Sequence, residues 1–172
     1  IIYHKEDAVS LLTALTRFGY FDENNIEKLP YWRNSAYIKI GDNPSTESEV
    51  YVSVYRRPLP EGNGYHALII VMNESFDPVE LPLYLLDEQR LLGGPNTLTA
   101  AEVFGQTKIH ESLTDWWQQT TAGQDSTVLM DIETGDIVRQ IPLARGDGGV
   151  SYGPIHIPYH NYRIFMAKHV TP

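Results

Sequence analysis

Apolar positions recur along most of this chain with a period of two. Val50-Tyr51-Val52-Ser53-Val54-Tyr55-Arg56 places valine at every second position, the pattern of a strand with one face buried. Val79-Glu80-Leu81-Pro82-Leu83-Tyr84-Leu85 does the same with Val79, Leu81, Leu83 and Leu85. Between them, Ala67 to Met72 is continuously apolar, as in a strand covered on both faces. Asn73 to Pro78 carries turn chemistry, because Asn and Asp side chains bond nearby backbone and Pro fixes φ. The stretch Tyr65–Leu86 thus predicts a hairpin on which one sheet is built. Pro82 cannot donate to a ladder, so its strand is expected at a sheet edge, or with the missing donor turned away from the neighbour.

Further extended runs are Tyr37–Ile40, Thr127–Ile132, Ile137–Ile141, Ile155–Pro158 and Tyr162–Ala167. Glu133-Thr134-Gly135-Asp136 reads as the turn of one hairpin, and the last two runs read as a final strand pair. Leu91-Leu92-Gly93-Gly94-Pro95 reads as loop, and 105–125 as a long polar excursion. One period departs from two. Ala8, Leu11, Leu12, Leu15 and Phe18 form a helical stripe over Asp7–Phe18, with an acidic start and Gly19 as the stop. The fold expected is all-β: an antiparallel β-sandwich of about eight strands with one N-terminal helix. Residues 1–20 are expected to be a connecting helix from an upstream domain, and 21–172 the sandwich.

Composition narrows the function. The chain has 172 residues, enough to bury one good core. Its formal net charge of −9 repels phosphate backbones, so nucleic acid is set aside. There is no Cys, hence no thiolate site or disulfide. The longest apolar runs are far below the length of a membrane span. The chain starts at Ile1 without Met or a signal-like segment, and is expected to be a piece of a longer polypeptide.

Candidate chemistry is sparse. His156 and His160 flank Pro158 in an extended region, which would set the imidazoles about 13 Å apart, too far for one ion. Glu74 with Asp77, and Glu133 with Asp136, sit in turns and read as solvated turn residues. Asn73-Glu74-Ser75 matches the N-glycosylation pattern and reads as a turn. No catalytic residue, metal ligand or cofactor site is assigned. Tyr31 and Trp32 are expected to plug one end of the core. Trp116 and Trp117, adjacent in a polar stretch, are candidates for stacking on sugar rings, with Tyr152 as a third aromatic. Leu11, Leu12, Leu15 and Phe18 are candidates for a contact with a neighbouring domain.

Three stretches together resemble a known arrangement: LPYWRN ending at Asn34 with VYVSVYRRP at Val50–Pro58, then ALIIVMNESFDPVELPLYL at Ala67–Leu85, then MDIETGDIV and IHIPYHNYRIFMAK at the end. They resemble the C-terminal β-sandwich that follows the catalytic barrel in glycoside-hydrolase-like proteins related to glycoside hydrolase family 123. The resemblance covers most of the chain except 105–125 and implies a non-catalytic accessory domain. Its partner would be the upstream barrel of the same polypeptide. The alternative is a carbohydrate-binding module that uses exposed aromatics on a glycan. The catalytic acids of such families lie in the barrel, so none is carried over. A secreted or periplasmic location would come with such a parent.

Overall fold

The structure, a computed structural model, describes residues 12, 15, 16, 18–41, 49–58, 64–93, 126–131, 137, 138, 140, 141 and 150–170. These residues form two antiparallel sheets facing one another. The strands are β1 (Glu27–Leu29), β2 (Ile38–Ile40), β3 (Val50–Pro58), β4 (Tyr65–Asn73), β5 (Val79–Leu85), β6 (Ser126–Asp131), β7 (Ile137–Val138), β8 (Gln140–Ile141), β9 (Val150–Ile157) and β10 (Asn161–Val170). The larger sheet runs β1-β3-β4-β10-β6-β7 and the smaller β2-β5-β9-β8. The expected antiparallel sandwich is therefore what the chain forms.

The inner faces carry the alternation. Val50, Val52 and Val54 of β3, Ala67, Ile69 and Val71 of β4, and Phe165 and Ala167 of β10 meet Leu83 and Leu85 of β5 and Tyr152, Ile155 and Ile157 of β9 in one core. The middle of the larger sheet's outer face is buried too. Leu68 opposes Met166, which opposes Met130, and all three are buried. That is why Ala67–Met72 reads as continuously apolar rather than alternating. The outer face of the smaller sheet is polar, with Lys39, Glu80, Tyr84 and His156.

Several expectations change. β4 and β5 do not form a hairpin: they lie in opposite sheets, so the turn between them is an arch over the end of the core. The final pair β9 and β10 is likewise split between the sheets. Since β4 neighbours β10 and β5 neighbours β9, the two arches run side by side. One side chain joins them. The buried Asn73 Nδ2 lies within hydrogen-bond distance of the Asp77 carbonyl at 2.9 Å and of the Ile157 and Pro158 carbonyls at 3.2 Å. Its Oδ1 accepts from the Ser75 N–H at 3.0 Å and the Ser75 hydroxyl at 2.6 Å. The amide nitrogen that an N-glycan would occupy is thus spent inside the protein.

Pro82 is not at an edge, because β5 lies between β2 and β9. Its carbonyl accepts from Gly41 N–H at 2.8 Å, while its absent donor falls where the β5–β9 register shifts between Leu81 and Leu83. Gly153 absorbs that bulge at φ 119°, with no room for a Cβ, which would come 2.7 Å from Ile155 N. The run Ile137–Ile141 is also divided: β7 pairs with β6, as the expected hairpin requires, but β8 pairs with β9 in the other sheet.

Leu91 and Leu92 are not loop residues. They end a short helix, Glu88–Leu92, and are buried in the core. Asp87 caps that helix, accepting the Arg90 N–H at 2.9 Å. Its C-terminal end presses on Gly64, whose Cβ position lies 2.4 Å from the Leu92 carbonyl oxygen. At the N-terminal end, Leu12, Leu15, Thr16 and Phe18 are helical, and Gly19 stops the helix at φ 86°. Tyr20 N–H bonds to Leu15 C=O and Gly19 N–H to Thr16 C=O, both at 3.0 Å, which is a Schellman ending.

Asn73→Ala removes the amide between the arches and leaves buried carbonyls without a donor. We expect it to lower stability by about 2–3 kcal/mol in denaturant unfolding, while Glu74→Ala, exposed on the same turn, changes it by less than about 0.5 kcal/mol.

Candidate functional site

Two arginines of the sandwich are committed to structure. Arg56 faces inward on β3 and is largely buried. Its Nε donates to the Glu27 carboxylate at 3.0 Å, Nη2 pairs with the same oxygen, and Nη1 donates to the Arg90 carbonyl at 2.9 Å. The guanidinium also lies over the Tyr65 ring, 4.3 Å from its centre. One side chain thus ties β1, β3 and the end of the short helix together. Arg163 does similar work across the sheets. It meets the buried Asp131 carboxylate of β6 at 2.7 and 2.8 Å and donates from Nη1 to the His156 carbonyl of β9 at 2.9 Å. A buried carboxylate needs this kind of partner.

The histidines go to different neighbours. His156 Nδ1 is 3.5 Å from Glu80 on the exposed face of the smaller sheet. His160, at φ 47°, places its ring against Phe76 at the arch tips, 4.9 Å centre to centre. Among the described residues no group of three His, Asp or Glu side chains comes together as metal ligands would. No helix among them is long and apolar enough to cross a membrane.

The exposed aromatics are the feature that structure does not use up. Tyr31 and Trp32 do not plug the core: they are 49% and 67% exposed. The reason lies two residues on. Asn34 is the buried member of this turn, and its Nδ2 donates to the Leu29 carbonyl at 3.1 Å and the Val52 carbonyl at 2.7 Å. Arg33 N–H closes the turn on the Pro30 carbonyl at 2.8 Å. With both of these fixed, the rings between them point outward. Tyr31 meets Trp32 edge to face, centres 4.8 Å apart at 89°, and leans on Tyr51 of β3, also 4.8 Å away. Tyr51 pairs in register with Met72, one position before Asn73, so this aromatic set stands at the arch end of the larger sheet.

A second exposed set stands at the other end of β3. Arg57 Nη1 donates to the Phe18 carbonyl at 3.0 Å, and Tyr20 packs on Tyr55 at 4.9 Å. This anchors the end of the N-terminal helix. Phe18 is buried there and Leu15 half-buried, whereas Leu12 and Phe21 are 56% and 57% exposed. Leu11 lies outside the described residues, as do Trp116 and Trp117. Tyr152 is fully buried in the core and offers no ring face to a ligand, because its position on β9 points between the sheets. The turn around Tyr31 and Trp32 was missed as a surface. The signal was Asn34: a short polar side chain just after a strand and a Pro turn is suited to bonding free backbone carbonyls.

The chain matches no protein-family model, no curated protein and no solved structure.

The contact between Tyr20 and Tyr55 has a titration consequence. Burial, then the neighbouring Tyr20, push the Tyr55 phenol up to about 12, above the model-peptide value of 10.0. The folded state therefore holds this proton more tightly than the unfolded chain. Its contribution to stability is complete below pH 10 and is lost as pH rises towards about 12. We expect Tyr55→Phe to flatten the fall in stability over that window, measured by chemical denaturation at stepped pH.

Proposed function

We propose that the chain is the non-catalytic C-terminal accessory domain of a glycoside-hydrolase-like protein, and that its role is to pack on and stabilise a catalytic barrel. One observation carries this reading. The N-terminal helix spends Phe18 on the sandwich but leaves Leu12 in solvent, with Phe21 exposed just past the helix stop. Among its described residues the helix buries Phe18, half-buries Leu15 and presents Leu12 outward, an arrangement suited to sharing with a neighbour. The ion pairs of Arg56 and Arg163 support a structural role as well, because they hold strands and carbonyls rather than converge on an open cleft.

Burying Leu12 and Phe21 against a barrel would contribute about 1.5–3 kcal/mol each. In the parent polypeptide, with the barrel in cis, Leu12→Ser/Phe21→Ser should lower the melting temperature of the barrel by several degrees. The same changes should leave the melting temperature of the 172-residue chain nearly unmoved, since both side chains are exposed in it. A barrel that melts identically with the wild-type chain, with the double variant and with no chain refutes the proposal.

A further inference from the structure

We infer that Trp32, Tyr31 and Tyr51 form a stacking site for the pyranose rings of a neutral glycan. The inference deepens the proposed function and rests on placing the chain in a carbohydrate-active protein. It starts from exposure: the Trp32 indole is 67% accessible although it is the largest apolar side chain of the turn. Leaving it in water forgoes burial energy, and with Tyr31 and Tyr51 it makes a contiguous aromatic patch, which is informative where singly scattered apolar residues are not.

Geometry favours a flat, partly apolar ligand. Trp32 and Tyr31 stand at 89°, so the indole and phenol present surfaces at right angles to one another. Tyr51, inclined at 55° to Tyr31, backs the pair from β3. The C–H faces of a pyranose carry partial positive charge and suit the electron-rich face of an aromatic ring. The groups around the rings suit the rest of a sugar. The turn reads Pro30-Tyr31-Trp32-Arg33-Asn34-Ser35, with exposed Arg33 and Ser35 and two phenol hydroxyls, and without an aliphatic side chain of the Leu, Ile or Val kind. Sugar hydroxyls find donors and acceptors there.

The site is also rigid. Asn34 bonds to Leu29 and Val52, and Arg33 N–H to Pro30, so the backbone carrying both rings is fixed before a ligand arrives. Preorganisation of this kind lowers the ordering cost of binding. The formal charge of −9 opposes polyanionic glycans such as uronate polymers, which leaves an uncharged glycan as the inferred class. Finally, the site is at the opposite end of β3 from Leu12 and Phe21. Tyr51 and Tyr55, which mark the two ends, are about 13 Å apart along the strand.

The test is affinity electrophoresis of the 172-residue chain in gels containing hydroxyethylcellulose, xylan, galactomannan or polygalacturonate. We expect retardation by at least one neutral polymer and none by polygalacturonate. Trp32→Ala should weaken the association constant about tenfold or more, and Trp32→Tyr should retain part of it. Tyr159→Ala, exposed beside His160 and not among the three rings, should bind as the wild type does, and the melting temperature of all three variants should stay close to that of the parent chain. Passage of the wild-type chain unretarded through every neutral gel, or equal retardation of Trp32→Ala, overturns the site; so does binding to polygalacturonate alone. The outcome is separable from that of the barrel-packing experiment: Trp32 variants report on glycan, Leu12 and Phe21 variants on the barrel.

Discussion

The sandwich depends on one buried amide. Each arch carries the chain from one sheet to the other, so its residues cannot satisfy their backbone groups through a ladder, and the end of the core is where polar groups go unpaired most easily. Asn73 answers this with a single side chain whose nitrogen faces carbonyls of both arches and whose oxygen takes the Ser75 donors. In a low-dielectric setting such a network rigidifies strongly when complete and costs heavily when broken. The relative position of β4, β5, β9 and β10, which are the central strands of both sheets, is thereby fixed at one end.

Arg163 secures the same strands by different chemistry. It reaches from β10 to Asp131 on β6 and to the carbonyl of His156 on β9, crossing the gap between the sheets. Arg56 closes the region around the short helix by holding the Arg90 carbonyl, an otherwise free group at a helix end. These three side chains are polar, and each is drawn in by a backbone carbonyl that no ladder or helix bond satisfies. The apolar core supplies the driving force, and the polar staples select which sheet each strand joins.

That division explains what could be read from the residues. Alternation at Val50–Val54 and Val79–Leu85 marks a buried face and a solvent face, and both strands came out with the expected residues inward. The fold class follows from such local patterns. Sheet membership does not, because an arch and a hairpin share the same run, turn and run. They differ in whether the second strand turns back beside the first or crosses the core, and Asn73 decides that through partners more than 80 residues away. Tyr152 and Trp32 show the same limit for the site. Both are aromatics near turns, but one lies on the inner face of β9 and the other is turned out by the bonds of Asn34. Their opposite burial was set by neighbours that sequence spacing does not reveal.

β3 connects these structural demands to the proposed activities. Its inner face supplies Val50, Val52, Val54 and Arg56 to the core, so the strand is held along its length. Its outer face offers Tyr51 at one end and Tyr55 with Arg57 at the other, and each end supports a separate exposed group, the Tyr31–Trp32 pair and the Phe18–Phe21 segment. A strand with one face fixed in the core makes a good ruler: features placed on its other face keep their spacing whatever binds them. Tyr51 and Tyr55 stand four residues apart on that face, so the two exposed groups are held at a fixed separation by one rigid strand. The spacing follows from the core: Val50, Val52, Val54 and Arg56 hold the inner face of β3, and whatever stands on its outer face inherits that rigidity.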